Sequence, residues 1–231
     1  MHGAPSAPNP KGLLVPMKTA LEANRRYFRE AYASGDHGWE AQEPSAYAMD
    51  FLKSLKRLVP GARLLDVGCG EGRHSIAAAR LGFKVTGVDF EPLALKRARR
   101  LAGAAWSRRI TFMRANVLRL PFPKSSFDIV LDYGCLHHQK KSDWPAYKAA
   151  ILRVLAPGGF FVLSAFSREF PLFRGSRRPW HIAYGAYRRS FTRREISDLF
   201  GRDFEIMKIV KEKGRHEGFW HVLMMRRAGP A

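Results

Sequence analysis

The sequence predicts an α/β fold, a parallel sheet with helices on both faces, and three observations carry that reading. Between residues 61 and 165, short apolar runs of strand length alternate with helix-length stretches, the pattern of a sheet whose crossover connections are helical. The first run, Leu64-Leu65-Asp66-Val67, enters a glycine-rich turn, Gly68-Cys69-Gly70-Glu71-Gly72, and then a helix-like segment. Length and composition agree: 231 residues, 46% hydrophobic and 12% aromatic, supply the core of one domain and exclude disorder as the overall state.

Residues 1–16, mixing Gly, Pro, Ala and Asn, read as a flexible tail. Met17 to Tyr32 reads as an amphipathic helix, because Leu21, Tyr27, Phe28 and Tyr32 share much of one face. Asp36, Gly38 and the segment from Trp39 to Pro44 form a loop. Ser45 stands where it would cap a second helix through Tyr47, Phe51, Leu52, Leu55 and Leu58, which ends before Pro60 and Gly61. The alternation then gives a strand Arg63 to Val67, a helix to Leu81, a strand Lys84 to Val88 and a helix to Leu101. It continues with strands Ile110 to Arg114 and Phe127 to Leu131, a helix to Leu155 and a strand Phe160 to Ala165. An irregular basic-aromatic stretch, Phe166 to Phe191, interrupts the rhythm before a helix from Thr192 to Phe200. Two final runs, Phe204 to Val210 and Phe219 to Arg226, are expected to pair as an antiparallel hairpin at one sheet edge.

The longest apolar run, Val154 to Phe166, is broken by Pro157, Gly158 and Gly159 and is too short to span a membrane. Leu13-Leu14-Val15 is too short for a signal-peptide core, so a cytoplasmic location is expected. Two cysteines, Cys69 and Cys135, build neither a disulfide framework nor a paired zinc motif, so no metal is expected. Forty Lys and Arg against twenty Asp and Glu give a formal charge of +20, which attracts polyanions such as nucleic acid or an anionic membrane. That excess is +2 over residues 1–60, +10 over 61–160 and +8 over 161–231.

Glycines after the first strand let the backbone turn tightly and approach a ligand, and the following helix offers free N–H groups. A dinucleotide-binding turn has its third glycine one position later, where Arg73 stands, which counts against a nicotinamide enzyme. The second strand ends at Asp89, 17 residues after Gly72, where a carboxylate can accept bonds from both hydroxyls of a ribose. These glycines can equally serve the turn's geometry alone, whereas a polar residue at a strand end favours a ligand.

Asp66 through Gly72 matches the D-x-G-x-G-x-G form of the class I S-adenosylmethionine-dependent methyltransferases, and the chain resembles that family over residues 61–165. The likeness continues at Asn116, at Phe127 to Asp132 with Leu136-His137-His138, and at Arg153 to Gly159. It implies a Rossmann-like seven-stranded, mostly parallel sheet in the order 3-2-1-4-5-7-6, with helices on both faces and an antiparallel last strand. It implies S-adenosylmethionine as methyl donor and S-adenosylhomocysteine as product. By the same resemblance, Gly68, Cys69 and Gly70 lie under the cofactor, Asp66 holds its amino-acid part and Asp89 its ribose. Phe90 and Val117 sandwich the adenine and Asn116, where relatives carry Asp, accepts from the adenine amino group. Asp128 is expected to stabilise the start of its strand rather than to serve the site.

Methyl transfer from a sulfonium is a direct displacement, so alignment alone can contribute about 7–11 kcal/mol. Where an acceptor must lose a proton, the candidates are Asp132, Tyr133, His137 and His138 at the end of the fourth strand; Asp132 is also a cofactor candidate. Either histidine could instead simply pack, and the two cysteines read as small core thiols. Methylation of exocyclic base amines is disfavoured, since Asp132-Tyr133-Gly134-Cys135 stands where Asn/Asp-Pro-Pro-Tyr belongs, and arsenite methylation wants a third cysteine.

Upstream, Tyr27-Phe28 to Tyr32, Gly38-Trp39-Glu40 and Glu43-Pro44-Ser45 look like the N-terminal lid of the tellurite-resistance and thiopurine methyltransferase group. Residues 17–60 would then be lid helices on a 61–231 methyltransferase domain, with 166–191 as the insertion closing the acceptor pocket. Tyr27, Trp39, Arg168, Trp180 and Tyr184 are the substrate-binding candidates. An aromatic pocket with convergent arginines suits a small planar or apolar acceptor, aromatic or thiol, bearing an anionic group. An arginine-rich surface over packed aromatics is the bland alternative. RNA methylation, lipid or quinone methylation on an anionic membrane, and non-catalytic binding of S-adenosylmethionine stay open beside it.

Overall fold

A computed structural model describes residues 20–35, 43–212 and 218–228. The expected tail and Trp39 lie outside the described residues. Seven strands form the main sheet: β1 (Arg63–Val67), β2 (Lys84–Asp89), β3 (Ile110–Arg114), β4 (Phe127–Tyr133), β5 (Leu155–Phe166), β8 (Phe204–Lys211) and β9 (Phe219–Arg226). Their order is β3-β2-β1-β4-β5-β9-β8, and only β9 runs against the rest. This is the order the resemblance implied, with β9 in the antiparallel place.

Helices cover both faces. On one lie α2 (Ala46–Leu58), α3 (Arg73–Arg80) and α4 (Pro92–Ala102), which bury Leu52, Leu55, Ala78, Leu95 and Ala98 against Leu64, Val85 and Ile129. On the other lie α5 (Trp144–Val154) and α6 (Arg193–Phe200), which bury Tyr147, Ile151, Ile196 and Phe200 against Val130, Phe161 and Phe204. Strands buried on both faces explain why their sequences read as continuous apolar runs rather than alternating ones. Each buried leucine or phenylalanine contributes about 1.5–3 kcal/mol.

The sequence grouped α2 with the N-terminal lid, yet its buried Ala48, Phe51, Leu52 and Leu55 make it a full layer helix. Of the two helices, α1 (Ala20–Ser34) sits over the C-terminal end of the sheet, packed on α4 and on the 166–191 insertion. Ser45 precedes α2 without a side-chain cap bond, and its backbone N–H donates to His74 Nε2 at 3.1 Å. The fifth strand starts at Leu155, five residues earlier than expected, and carries the Pro157-Gly158-Gly159 run through an irregular register against Phe127 and Ile129. The insertion is not irregular throughout: β6 (Trp180–Ala183) and β7 (Ala186–Arg189) pair as a hairpin around Tyr184 and Gly185, at φ 53° and 80°. A two-residue turn with both residues at positive φ matches strand twist, and Tyr at its first place hid it from the sequence. At the opposite end of the sheet Arg63 pairs with Asp128 at 2.8 Å, the stabilising role expected of that acid.

Candidate active site

Every parallel strand delivers its last residue to one end of the sheet, and there the glycine turn and the acids meet. Gly68, Gly70 and Gly72 have φ of 69°, 55° and 80°, a conformation that side chains resist. The Gly68 and Cys69 N–H groups both donate to Val88 O, at 2.8 and 3.0 Å, which fastens the turn to β2. Gly70 N–H donates to Asp89 Oδ2 and Glu91 N–H to Oδ1, both at 2.9 Å. A methyl on Gly68 would lie 3.0 Å from Cys135 Cβ, and one on Gly70 2.8 Å from the Tyr32 hydroxyl. Asp66 lies beneath the turn and accepts from Ser75 Oγ at 2.6 Å. Burial pushes both the Asp66 and the Asp89 carboxyls up to about 6. It also pushes the Cys69 and Cys135 thiols up, leaving them protonated and unreactive at neutral pH.

Phe90 meets Phe28 of α1 edge to face at 5.7 Å, so the lid helix touches the turn after β2. The Asn116 carbonyl oxygen accepts from Leu118 N–H at 3.0 Å, using one of its two acceptor positions in its own turn. Val117 is buried in the core on the α5 and α6 face.

At the end of β4 the four catalytic candidates come together but differ in environment. Asp132 is fully buried; its Oδ1 accepts from Cys135 N–H at 2.7 Å, and its Oδ2 from Leu136 N–H at 2.9 Å and Tyr147 Oη at 2.5 Å. Burial pushes its carboxyl up to about 7. Tyr133 stacks between His74 at 4.4 Å and Phe219 at 5.4 Å, with Arg73 over its ring. His137 lies flat on Phe166 at 3.5 Å, and its Nδ1 is buried with no hydrogen-bond partner. His138 donates from Nδ1 to Tyr187 O at 2.8 Å, the tautomer a carbonyl partner requires, so its lone pair is on Nε2. Burial holds both imidazoles below their ordinary value, His138 at about 3, and the Arg188 guanidinium adds to it.

The substrate candidates separate. Tyr27 Oη accepts from Arg188 Nη2 at 2.9 Å, and the Arg188 guanidinium stacks over Tyr27 and, across the hairpin, over Tyr184. Trp180 is 40% exposed beside Tyr187. Arg168 is spent elsewhere: it donates to the carbonyls of Ser176, Arg177 and Arg178 and to Ser190 Oγ, which shapes the insertion.

Sequence reasoning missed Asn24 and the particular place of Arg188. Asn24, 5% exposed, donates to His138 O and accepts from Tyr187 N–H, both at 2.8 Å, so one amide ties α1, the histidine turn and β7. A polar residue four before Phe28 and eight before Tyr32, inside an apolar stripe, was the signal. For Arg188 no signal separated it from the five other arginines of the insertion. Asn24→Ala leaves two buried backbone groups unpaired, each costing about 1–3 kcal/mol. Amide exchange across 20–34 and 186–189 should therefore speed up at least about thirtyfold, with strands β1, β2 and β4 unchanged.

Residues 64–159 match the family described as the methyltransferase domain. The alternating core of this chain is therefore similar to a methyltransferase domain. Among curated relatives, the 27-O-demethylrifamycin SV methyltransferase of Amycolatopsis mediterranei is 35% identical over 133 residues, 57% of this chain and 48% of that protein. The 2-methyl-6-phytyl-1,4-hydroquinone methyltransferase of Synechocystis is 35% identical over 131 residues, 54% of this chain and 40% of that protein. The chain thus spans about half the length of the curated relatives it matches. A solved structure shares the fold: the 1,6-didemethyltoxoflavin-N1-methyltransferase of Burkholderia thailandensis, with bound 1,6-didemethyltoxoflavin and S-adenosylhomocysteine. It is 24% identical, with a TM-score of 0.72, and the match covers 98% of this chain and 100% of that one. Among the described residues no helix is long and apolar enough to cross a membrane, and no three His, Cys, Asp or Glu side chains are grouped to hold a metal.

Proposed function

We propose that this chain transfers a methyl group from S-adenosylmethionine to a small planar or apolar acceptor carrying an anionic group. The observation that carries this reading is the Gly70 N–H bond to Asp89 at the strand ends, directly under α1. A carboxylate oxygen has two acceptor positions, and each oxygen of Asp89 uses one on the described backbone, leaving one apiece for ribose hydroxyls. When bound, S-adenosylmethionine supplies an electrophilic methyl carbon on a sulfonium. The glycine turn and Asp66 hold the donor, Phe90 and Val117 flank its base, and Asn116 keeps an acceptor position for the adenine amino group. The likeness of the core to rifamycin and hydroquinone methyltransferases supports a small-molecule acceptor over RNA.

On the acceptor side, Arg188 rather than Arg168 is the residue for an anionic group. Its Nη groups donate to Ala183 O and Tyr27 Oη, and its charge bears on both His137 and His138. A guanidinium has five N–H donors, so donors remain for a carboxylate or phosphate. An anion there would offset the positive charge that helps hold the imidazoles neutral, raising the basicity of His138 Nε2 where the acceptor must lose a proton. Asp132, fully buried with three donors from within the chain on its carboxylate, positions the histidine turn instead.

Incubating the protein with methyl-labelled S-adenosylmethionine and a cell extract tests the reaction. Label in the small-molecule fraction, absent with Asp89→Ala, is the expected result; label confined to RNA or lipid would overturn it. With S-adenosylhomocysteine bound, benzoate should quench Trp180 fluorescence at concentrations at least about tenfold lower than for Arg188→Gln, and benzyl alcohol should show no such difference. Equal titrations for both proteins would remove Arg188 from acceptor recognition.

A further inference from the structure

The end of the sheet opposite the candidate active site is a second concentration of positive charge. Arg63 and Lys84 are the first residues of β1 and β2 and register partners, and Arg108 and Arg109 lead directly into β3. These four side chains line one open cleft of about 230 Å³ together with Thr86, Thr111 and Ser126, and no carboxylate lines it. The helices reinforce it. Because α3 and α4 run against the strands, their last turns bring Arg80 and Arg100 to the same end. The side chains of Lys84 and Arg108 make no ion pair or hydrogen bond among the described residues. Arg63 is tied to Asp128, and Arg109 donates to Gly82 O at 3.1 Å.

We propose that this cleft docks the sugar-phosphate backbone of a single-stranded nucleic acid. Cations repeated from strand to strand, at about 4.8 Å, form a row rather than a point, which suits a chain of phosphates better than one small anion. Threonine and serine hydroxyls beside them add neutral phosphate donors. The cleft is open and lined by Val85 and Phe127 as well as by the cations and hydroxyls, so a strand can lay its phosphates along the cations. Leu58 and Leu101 are exposed near this end on separate helices, so membrane docking is the competing occupant to test. Five residue steps of β2 separate Lys84 from Asp89, roughly 16 Å at 3.3 Å each, so the nucleotides seated here are a tether and not themselves at the methyl-transfer site. The proposal stands whether or not the chain methylates a small molecule.

The test is fluorescence anisotropy of a labelled 20-nucleotide oligouridylate with the full chain at 50, 100 and 200 mM KCl. The Lys84→Glu/Arg108→Glu pair should bind about fiftyfold more weakly at 50 mM, and its log-log salt slope should be shallower by about 1.4, the value for two lost contacts on a single strand. Lys84→Gln/Arg108→Gln should show the same slope with a smaller loss. Affinity for S-adenosylhomocysteine should stay within twofold in both variants, which separates a lost surface from a lost fold. Oligouridylate binding unchanged in both variants, no binding by the wild type at 50 mM, or variant-sensitive binding to phosphatidylserine vesicles without binding to oligouridylate would each overturn the proposal.

Discussion

Asp89→Ala should bind S-adenosylhomocysteine at least about a hundredfold more weakly than the wild type by calorimetry, with a smaller loss of stability. Two ribose hydroxyls donating to a charged, buried acceptor are worth about 1.5–3 kcal/mol each, and the alanine forfeits both. It also releases the Gly70 and Glu91 N–H groups, so the glycine turn loses the bond that sets its distance from β2. The ionisation of Asp89 adds a direction in pH. Burial raises its carboxyl to about 6, so the accepting, charged form dominates only above that value. Affinity should therefore climb from pH 5 to pH 7 and level off above it. Asp89→Asn, which cannot ionise, should bind weakly and without that climb. A wild-type affinity flat across this window would take Asp89 out of the cofactor site.

Much of this was legible in the sequence, for physical reasons that differ by region. β1, β3 and β9 occur over the expected residues because buried strands are continuous apolar runs bounded by turns, and Asp66 to Gly72 fixes where the first one ends. The capping box of Thr192 and Glu195 marks the start of α6 within a residue. The acceptor side was far less readable. Its hairpin carries Arg188 and Arg189 on a strand of four residues, too short and too charged for an alternation to stand out. Which arginine faces the histidines depends on the turn at Tyr184 and on Asn24 reaching across 163 residues, and neither leaves a local pattern. Asp132 is a related case: a strand-end carboxylate looks available in sequence, and only the fold shows three donors converging on it.

That convergence makes Asp132→Ala a strongly destabilising change. It leaves the Cys135 and Leu136 N–H groups and the Tyr147 hydroxyl without their acceptor in a fully buried place, at about 4 kcal/mol in urea unfolding. Tyr147→Phe should cost about 1–2 kcal/mol alone and little more once Asp132 is alanine, since the two share one bond. pH separates this role from that of a base. The native carboxyl holds its proton up to about pH 7, whereas an unfolded aspartate releases it near pH 4. The native state therefore binds more protons in between, and this residue's contribution to stability falls as pH rises from about 4 to 7. Asp132→Asn should remove that decline while keeping one acceptor, so it should be milder than alanine and should leave affinity for S-adenosylhomocysteine within tenfold. If Asp132→Asn kept wild-type stability and pH dependence but abolished label transfer to the small-molecule fraction, the carboxylate would belong to the chemistry and not to the turn that carries His137 and His138.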